Sequence, residues 1–181
     1  LKIYKDFIEP FRLYSLHKKI AKEIDNKKVD FVFVHPSQFT HAPFILRFLK
    51  TPHVYFCHEP LRIVHDPEVK IPENIGSLKR NYEKIIRLIR KRIDYSNIKH
   101  ANIVLTNSKY SEENIRKAYG ISANVCFLGV DPNVFKPLNI KKEYDLIFVG
   151  DTIPMEGFDT LVEISKMFKD SLKIRIVKPE K

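Results

Sequence analysis

The chain has few cysteines, no apolar run of membrane-spanning length and no methionine at its start. Only Cys57 and Cys126 occur, and both fall inside apolar segments that predict strands. We therefore expect two reduced core thiols of an intracellular protein rather than a disulfide. No apolar run approaches the roughly 20 residues that span a bilayer, and no signal peptide is evident. A start at Leu1 indicates a fragment or a trimmed chain.

Two further absences restrict the expected ligands. Five histidines lie between positions 35 and 65, but the tight pairs typical of zinc sites, H-x3-H on a helix or paired C-x2-C, do not occur. We therefore predict no bound metal. No RNA- or DNA-binding motif and no aromatic-basic repeat is present, so nucleic acid is not an expected partner. The net charge of +10 still favours an anionic partner, such as phosphate or an acidic membrane surface.

The apolar pattern alternates between strand and helix signals. With 181 residues, 44% of them apolar, the chain can bury one good core or two small ones. Strands are predicted at 29–34, 52–57, 103–105, 124–128, 144–149 and 172–177. Helices are predicted over 7–24 with Pro10 in the first turn, and over 38–50, 78–98 and 157–169. Short connections between these elements predict an α/β fold with Rossmann-like parallel sheets.

The stretch 101–135 has the most specific pattern. An apolar strand is followed by a helix that Ser108 or Ser111 can cap and that stops at Gly120, and a second strand then leads into a Gly-Val-Asp-Pro turn. Its two strings are ANIVLTNSKYSEENIRKAYGI and CFLGVDPNVFKP. Together they resemble the end of the first domain of retaining glycosyltransferases of family 4. Members of that family have two Rossmann-like domains in the arrangement called GT-B.

The resemblance implies a domain organisation and an activity. Residues 1–138 would form most of an acceptor-side domain, and 139–181 the beginning of a nucleotide-sugar-binding domain. The intact protein would be a retaining, hexosyltransferase-type enzyme of cell-envelope polysaccharide biosynthesis. It would move a sugar from a nucleotide diphosphate to a glycan or a polyprenyl-linked acceptor, with no cofactor besides the nucleotide sugar. A glycine-rich loop expected before Leu1 and a glutamate pair expected beyond Lys181 are missing, so we do not expect this piece to transfer sugar alone.

Residues 58–62, HEPLR, follow the strand 52–57 at the sheet edge where parallel sheets bind ligands. An imidazole, a carboxylate and a guanidinium can orient a sugar hydroxyl and pair with a phosphate. The alternative is a polar loop whose charges satisfy one another. The string VYFCHEPLR resembles the acceptor-side loop of the family, which implies a catalytic His58, with Glu59 and Arg62 binding substrate. Further substrate-binding residues are expected at Ser108, Gly129 and Asp131, and 60–76 is expected to form a flexible flap.

The loop 150–157 departs from the family's pattern. By resemblance, Gly150 and Gly157 would give main-chain access to the donor phosphates. The family typically has arginine where Asp151 stands and lysine where Glu156 stands, and these cations clamp the diphosphate. Two carboxylates would repel it. A rival hypothesis is therefore a non-catalytic, glycosyltransferase-like binding or scaffolding protein at a membrane surface.

The predicted helix 78–98 is strongly basic. Eight lysines and arginines lie between positions 79 and 99, against only Glu83 and Asp94. Such a helix can lie in an anionic headgroup layer, or it can present a solvated face over a core-facing apolar stripe. Both interpretations stay open. We expect a cytoplasmic protein, with peripheral attachment to the inner face of the cell membrane as its more specific form.

Overall fold

The structure, a computed structural model, describes residues 2–67, 69–153, 156–168 and 171–178. The chain forms two compact units, Leu1–Gly129 and Val130–Lys181, which are described separately. The first unit combines a four-stranded parallel sheet with helices, and the second contains two parallel strands and a helix. This confirms the predicted α/β class with Rossmann-like parallel sheets. The proposed domain limits of 1–138 and 139–181 stay a prediction.

Four parallel strands form the sheet of the first unit: β1 (Val32–Val34), β2 (His53–Phe56), β3 (Ile103–Thr106) and β4 (Asn124–Val125). They lie in the order β1-β2-β3-β4. Tyr55 pairs with Val34 on one side and with Val104 on the other. Because the strands are parallel, their carboxyl ends share one edge of the sheet. Three of these strands, β1, β2 and β4, are shorter than predicted. The largest differences are at 29–31 and 126–128, which lie outside the strands and are exposed.

The helices of this unit are α1 (Lys2–Asn26), α2 (Arg62–His65), α3 (Ser77–Ile98) and α4 (Lys109–Tyr119). The ends of α4 follow the predicted signals. The Ser108 hydroxyl accepts from the Ser111 N–H, and Gly120 closes the helix with φ of 67°. A residue without a Cβ adopts that left-handed conformation without strain.

Two helix predictions were wrong in detail. Pro10 lies inside α1 rather than in its first turn. The predicted helix 38–50 is instead an irregular segment with one 3-10 turn, Phe44–Arg47. Two kinds of contact hold its backbone: a local bridge between Ser37 and His41, and hydrogen bonds from distant α3 to Ala42.

The core lies between the sheet and the inner faces of the helices. Its fully buried members include Tyr55 on β2, Cys57 directly after it, Ile98 on α3, and Ile115 and Tyr119 on α4. Burying side chains of this size contributes about 1.5–3 kcal/mol each. On the outer side, Tyr14 of α1 packs edge-on against the Phe48 ring, with 4.8 Å between centroids.

The two free cysteines occupy different environments. Cys57 is fully buried, as predicted, and burial raises the pKa of its thiol to about 12. Cys126 is exposed, so the prediction of a second core thiol was wrong. The reason is the short length of β4, which ends at Val125: the Cys126 N–H still donates to the Thr106 carbonyl at 2.7 Å, but its side chain lies past the strand and is exposed.

Helix α1 is attached near both ends through aspartates. The Asp6 carboxylate, buried on α1, accepts from Arg90 Nη2 and from the Tyr82 hydroxyl of α3, both at 2.8 Å. At the other end, Asp25 accepts from the N–H and the hydroxyl of Thr51, at 2.9 and 2.8 Å. Among the described residues, no helix has both the length and the apolar character needed to cross a bilayer.

The second unit contains β5 (Leu146–Val149), α5 (Phe158–Met167) and β6 (Ile174–Val177). The two strands are parallel, with Leu146 opposite Ile174. This is the strand-helix-strand order that the sequence predicts. The predicted helix end at Lys169 lies outside the described residues.

Candidate functional site

A cleft of about 1170 Å³ lies at the carboxyl edge of the sheet in the first unit. Three segments line it: the loop after β2 together with α2, the residues after β3 together with one face of α4, and the residues after β4. The volume exceeds that of most drug-sized ligand sites, and the position is where open α/β sheets bind ligands. His58, Glu59, Arg62 and Ser108, which the sequence predicts as site residues, all line this cleft.

His58 is placed by β2, which ends two residues before it. Its ring is half-buried and meets the Phe56 ring edge-on, with 4.7 Å between centroids, and it stacks on His35 at 6.3 Å. The next residue is anchored as well, because the buried Cys57 thiol donates to the Glu59 carbonyl at 3.2 Å. An imidazole held in this way can orient or accept a proton from a hydroxyl in the cleft.

Arg62 lies on the first turn of α2 with carboxylates on both sides. Its Nε and Nη2 atoms both donate to Asp66 Oδ2 at 3.2 Å, and Nε is 3.9 Å from Glu59 Oε2. These pairs are partly exposed, so each contributes at most about 1 kcal/mol. A phosphate in the cleft would therefore compete with two carboxylates for this guanidinium. The arrangement fits the alternative of charges that satisfy one another, although a dianion can still displace an exposed pair.

Other residues of the cleft were not predicted. Asn107 directly follows β3, and its buried Oδ1 has no hydrogen-bond partner among the described residues. The rule that identified His58, a polar residue just past a buried strand, applies equally to Asn107. Lys117 also lines the cleft, and its Nζ pairs with Glu113 at 2.8 Å. The Ser108 hydroxyl, in contrast, serves the cap of α4.

A buried hydrogen-bond network lies behind the cleft and includes Asp94, which is fully buried on α3. Its Oδ1 accepts from the Ala42 N–H at 2.8 Å, and its Oδ2 accepts from the Tyr119 hydroxyl. The Tyr119 oxygen in turn accepts from the Leu61 N–H at 3.1 Å. Burial raises the pKa of Asp94 to about 6, although the hydrogen bonds that Asp94 accepts from Tyr119 and from Ala42 both lower this pKa.

The histidines around the cleft differ in environment. The pKa of His65 is lowered, mainly by burial and also by Lys91. The pKa of His41 is lowered by burial, against an opposing effect of Glu59, and the nearby His58 lowers it further. Within the described ranges, no three histidine, cysteine, aspartate or glutamate side chains are grouped as a metal site.

The remaining predicted site residues belong to the loops around 129–131 and 150–157. Gly129 is the last residue of the first unit, and open space surrounds the position of a Cβ there. Asp131 forms a local turn, in which its Oδ1 accepts from the Asn133 N–H at 2.8 Å. Within the first unit, Gly129 is not among the residues that line the cleft containing His58, and the predicted roles of Gly129 and Asp131 stay predictions.

In the second unit, Gly150 and Gly157 have φ of 149° and 79°, a region that favours glycine. Gly157 precedes α5, as a phosphate-binding turn requires. The side chain of Glu156 lies over Gly150, since a Cβ there would be 3.4 Å from Glu156 Oε2. Asp151 and Glu156 are both exposed, and Pro154 and Met155 lie outside the described residues.

A Rossmann-like sheet with a polar cleft at its carboxyl edge defines a class of ligand-binding α/β domain. Comparison with known families assigns it more narrowly, because residues 2–134 match the family model described as Glycosyltransferase Family 4. The chain belongs to glycosyltransferase family 4 and is a transferase whose partners are a sugar donor and an acceptor. A comparison with curated proteins finds no match.

Proposed function

We propose that the protein transfers a sugar from a nucleotide diphosphate to a glycan or a polyprenyl-linked acceptor, with retention at the anomeric carbon and no further cofactor. In such a transfer, the bond from the anomeric carbon to the diphosphate breaks as the acceptor hydroxyl forms the new glycosidic bond and loses its proton. Positioning and charge stabilisation provide most of the acceleration. The product would belong to a cell-envelope polysaccharide.

The observation that supports the acceptor assignment is the position of His58 in the cleft beyond β2. The ring is fixed by Phe56 and His35 and is partly open to the cleft, where a sugar hydroxyl can reach it. We assign His58 the role of orienting the acceptor hydroxyl or accepting its proton. Glu59 would fix that hydroxyl, and Arg62 would leave Asp66 to meet an acceptor phosphate.

His58→Ala in the full-length protein tests this assignment. We expect turnover to fall by about 10²–10⁴-fold, the usual contribution of a general acid or base. His100→Ala is the control, because this exposed histidine lies outside the cleft. Near-normal turnover of the His58 variant, with the fold intact, would remove His58 from the site.

One observation favours the non-catalytic rival. The Glu156 carboxylate lies against Gly150, where the main chain would have to approach a donor phosphate. The carboxylate and the phosphate would repel each other there, which weakens binding of the donor unless other groups compensate. The rival therefore predicts a protein that keeps the acceptor cleft and does not bind nucleotide sugars.

Titration calorimetry of UDP-, GDP- and ADP-sugars against the full-length protein separates the two functions. Binding by the parent protein supports transfer, and the preferred base narrows the identity of the donor. Binding only by Glu156→Lys would indicate a donor site disabled by charge and would support the rival. Asp159→Lys is the matched control, because it makes the same charge change on the first turn of α5.

We further propose that α3 attaches the protein to an anionic membrane surface. The exposed face of α3 alternates basic and apolar side chains, and it includes Lys84, Ile85, Leu88, Lys91 and Arg92. Basic residues near a charged leaflet contribute about 1 kcal/mol each. A helix that carries both types of side chain can use both attractions.

Not every basic residue of α3 is available for such attachment. Arg90 pairs with the buried Asp6, and Arg87 Nη1 donates to the Val69 carbonyl at 2.6 Å. Replacing these two would damage the fold and would not report on lipid. The informative variant is therefore the triple change of Lys84, Lys91 and Arg92 to glutamate.

Sedimentation with phosphatidylcholine vesicles that contain phosphatidylglycerol measures the attachment. We expect the α3 triple variant to lose binding. The control makes the same charge change in the second unit, at the exposed residues Lys136, Lys141 and Lys142. Equal loss in both variants would indicate attraction by net charge alone, and no loss in either would refute the membrane assignment.

A further inference from the structure

The buried Asp94 network joins two backbone segments next to His58. One segment contains Ala42, which follows His41, and the other contains Leu61, which lies three residues after His58. Asp94 accepts directly from the Ala42 N–H, and it reaches Leu61 through the Tyr119 hydroxyl.

The Leu61 N–H is an important point in the site loop. Leu61 is the residue before α2, and its carbonyl accepts from the N–H groups of Val64 and His65. A hydrogen bond to its own N–H therefore restrains the point where the loop after β2 turns into the helix that carries Arg62. The only described partner of that N–H is the Tyr119 hydroxyl, since the group is too early in α2 for an intrahelical acceptor.

The second segment is held from two sides. While Asp94 binds the Ala42 N–H, Asn97 Nδ2 donates to the Ala42 carbonyl at 2.7 Å. Asn97 also accepts from Arg47 Nε, which fixes the orientation of its amide. Both polar groups of one residue are thus bound by side chains of α3. The adjacent His41 is close enough to Glu59 and His58 for their charges to affect it.

We propose that Asp94 and Tyr119 are positioning residues for the acceptor site: together they hold the backbone on both sides of His58 in its working geometry. This inference rests on the proposed role of His58. A fully buried carboxylate is expensive for stability, and an apolar residue would pack in the core at lower cost. The cost of burying Asp94 is understandable if its two carboxylate oxygens are needed to bind two separate loops.

The variant Tyr119→Phe tests the Leu61 side of this network without a change in side-chain shape. Hydrogen exchange followed by NMR would report on the Leu61 amide. The Cys57 amide serves as the reference, because the Cys57 N–H donates within the sheet to the Leu105 carbonyl at 2.8 Å. We expect protection of Leu61 to fall about tenfold relative to Cys57, the effect of losing one hydrogen bond. Asp94→Asn, which alters both arms, should affect Ala42 as well.

The ring protons of His58 provide a readout that a merely structural role would not change. The Phe56 ring, 4.7 Å away, makes their chemical shifts sensitive to small displacements. We expect these shifts to move in Tyr119→Phe and to stay in Ile115→Val, a control that removes one methylene from the same helix inside the core. Loss of Leu61 protection without movement of His58, or equal movement in the control, would overturn the proposal.

These two measurements need no sugar, so they stand if the proposed transfer fails. Where a donor has been identified, kinetics of the full-length enzyme add a further test. A displacement near 1 Å costs on the order of 10²-fold in rate. Tyr119→Phe should therefore lower kcat by about tenfold to hundredfold and leave the KM for the donor unchanged. An unchanged kcat would refute the positioning role, and a change in donor KM alone would do the same.

Discussion

The raised pKa of Asp94 gives the fold a pH dependence that can be calculated. Burial raises this pKa from an ordinary value of 3.8 to about 6. Between these values the folded protein binds more protons than the unfolded chain, so stability must fall as pH rises. The stabilising contribution is complete below the unfolded pKa and is lost as pH rises through the folded one. The whole effect is about 3 kcal/mol, and about 2 kcal/mol of it falls between about pH 4.5 and pH 7.5.

Urea unfolding of the wild type and of Asp94→Asn across this range isolates the effect. The variant leaves the Tyr119 hydroxyl without its acceptor, a constant penalty of about 1–3 kcal/mol. The stability of the wild type relative to the variant should therefore fall by about 2 kcal/mol from about pH 4.5 to pH 7.5. Among the described residues, the titratable groups next to Asp94 are Tyr119, Tyr55 and Cys57. They stay neutral in this range, and burial raises their pKa values still further above it.

A titrating neighbour does not affect this comparison. The His65 ring packs on Tyr119 at 5.1 Å, and its pKa is lowered by burial, but it is present in both proteins and largely cancels in their difference. A difference in stability that is flat with pH would refute the argument that Asp94 is costly when ionised. If the stability of the wild type relative to the variant rose with pH, Asp94 would be stabilising when ionised, the opposite of the argument.

Three further predictions concern stability and reactivity. In a thiol-reagent titration of the folded protein, Cys126 should react at once and Cys57 only on unfolding, and two fast thiols would contradict the burial of Cys57. Gly120→Ala should destabilise the protein by about 1–2 kcal/mol in urea unfolding, because Gly120 has a φ of 67°. Gly129→Ala, the control, should change stability little, and equal effects of the two variants would contradict this reasoning. Arg90→Gln should lower the free energy of unfolding by about 3–5 kcal/mol, because it leaves the Asp6 carboxylate buried without its ion pair. A loss of stability below about 1 kcal/mol would contradict this prediction.

Local signals were sufficient to predict much of the fold. The helix α4 could be predicted because its cap, Ser108, and its stop, Gly120, lie next to it in sequence. The order of strands and helices followed from apolar runs, and His58 was assigned to the sheet edge because it directly follows a strand. Each of these inferences depends on residues that are neighbours in the chain.

The features that could not be predicted depend on distant residues. Asp94 appears in the sequence as one of two acids on a basic helix, and its role depends on Ala42, which lies 52 positions away. The segment 38–50, predicted as a helix, is a similar case, because side chains of α3 that lie 52 and 55 positions away bind its Ala42. The sequence also does not show which basic residues of α3 are already paired: the partner of Arg90, Asp6, lies 84 positions away.

The attachments of α3 also have a consequence for the order of folding. This helix binds α1 through contacts separated by 76 and 84 positions, and it binds Ala42 through contacts separated by 52 and 55. Closing such long loops costs entropy before any contact forms, so these contacts are late unless α3 is already in place. We infer that α3 and α4, joined by the contact of Tyr119 with Asp94 only 25 positions away, condense first. Helix α1, although it comes first in the chain, would then dock among the last elements of its unit.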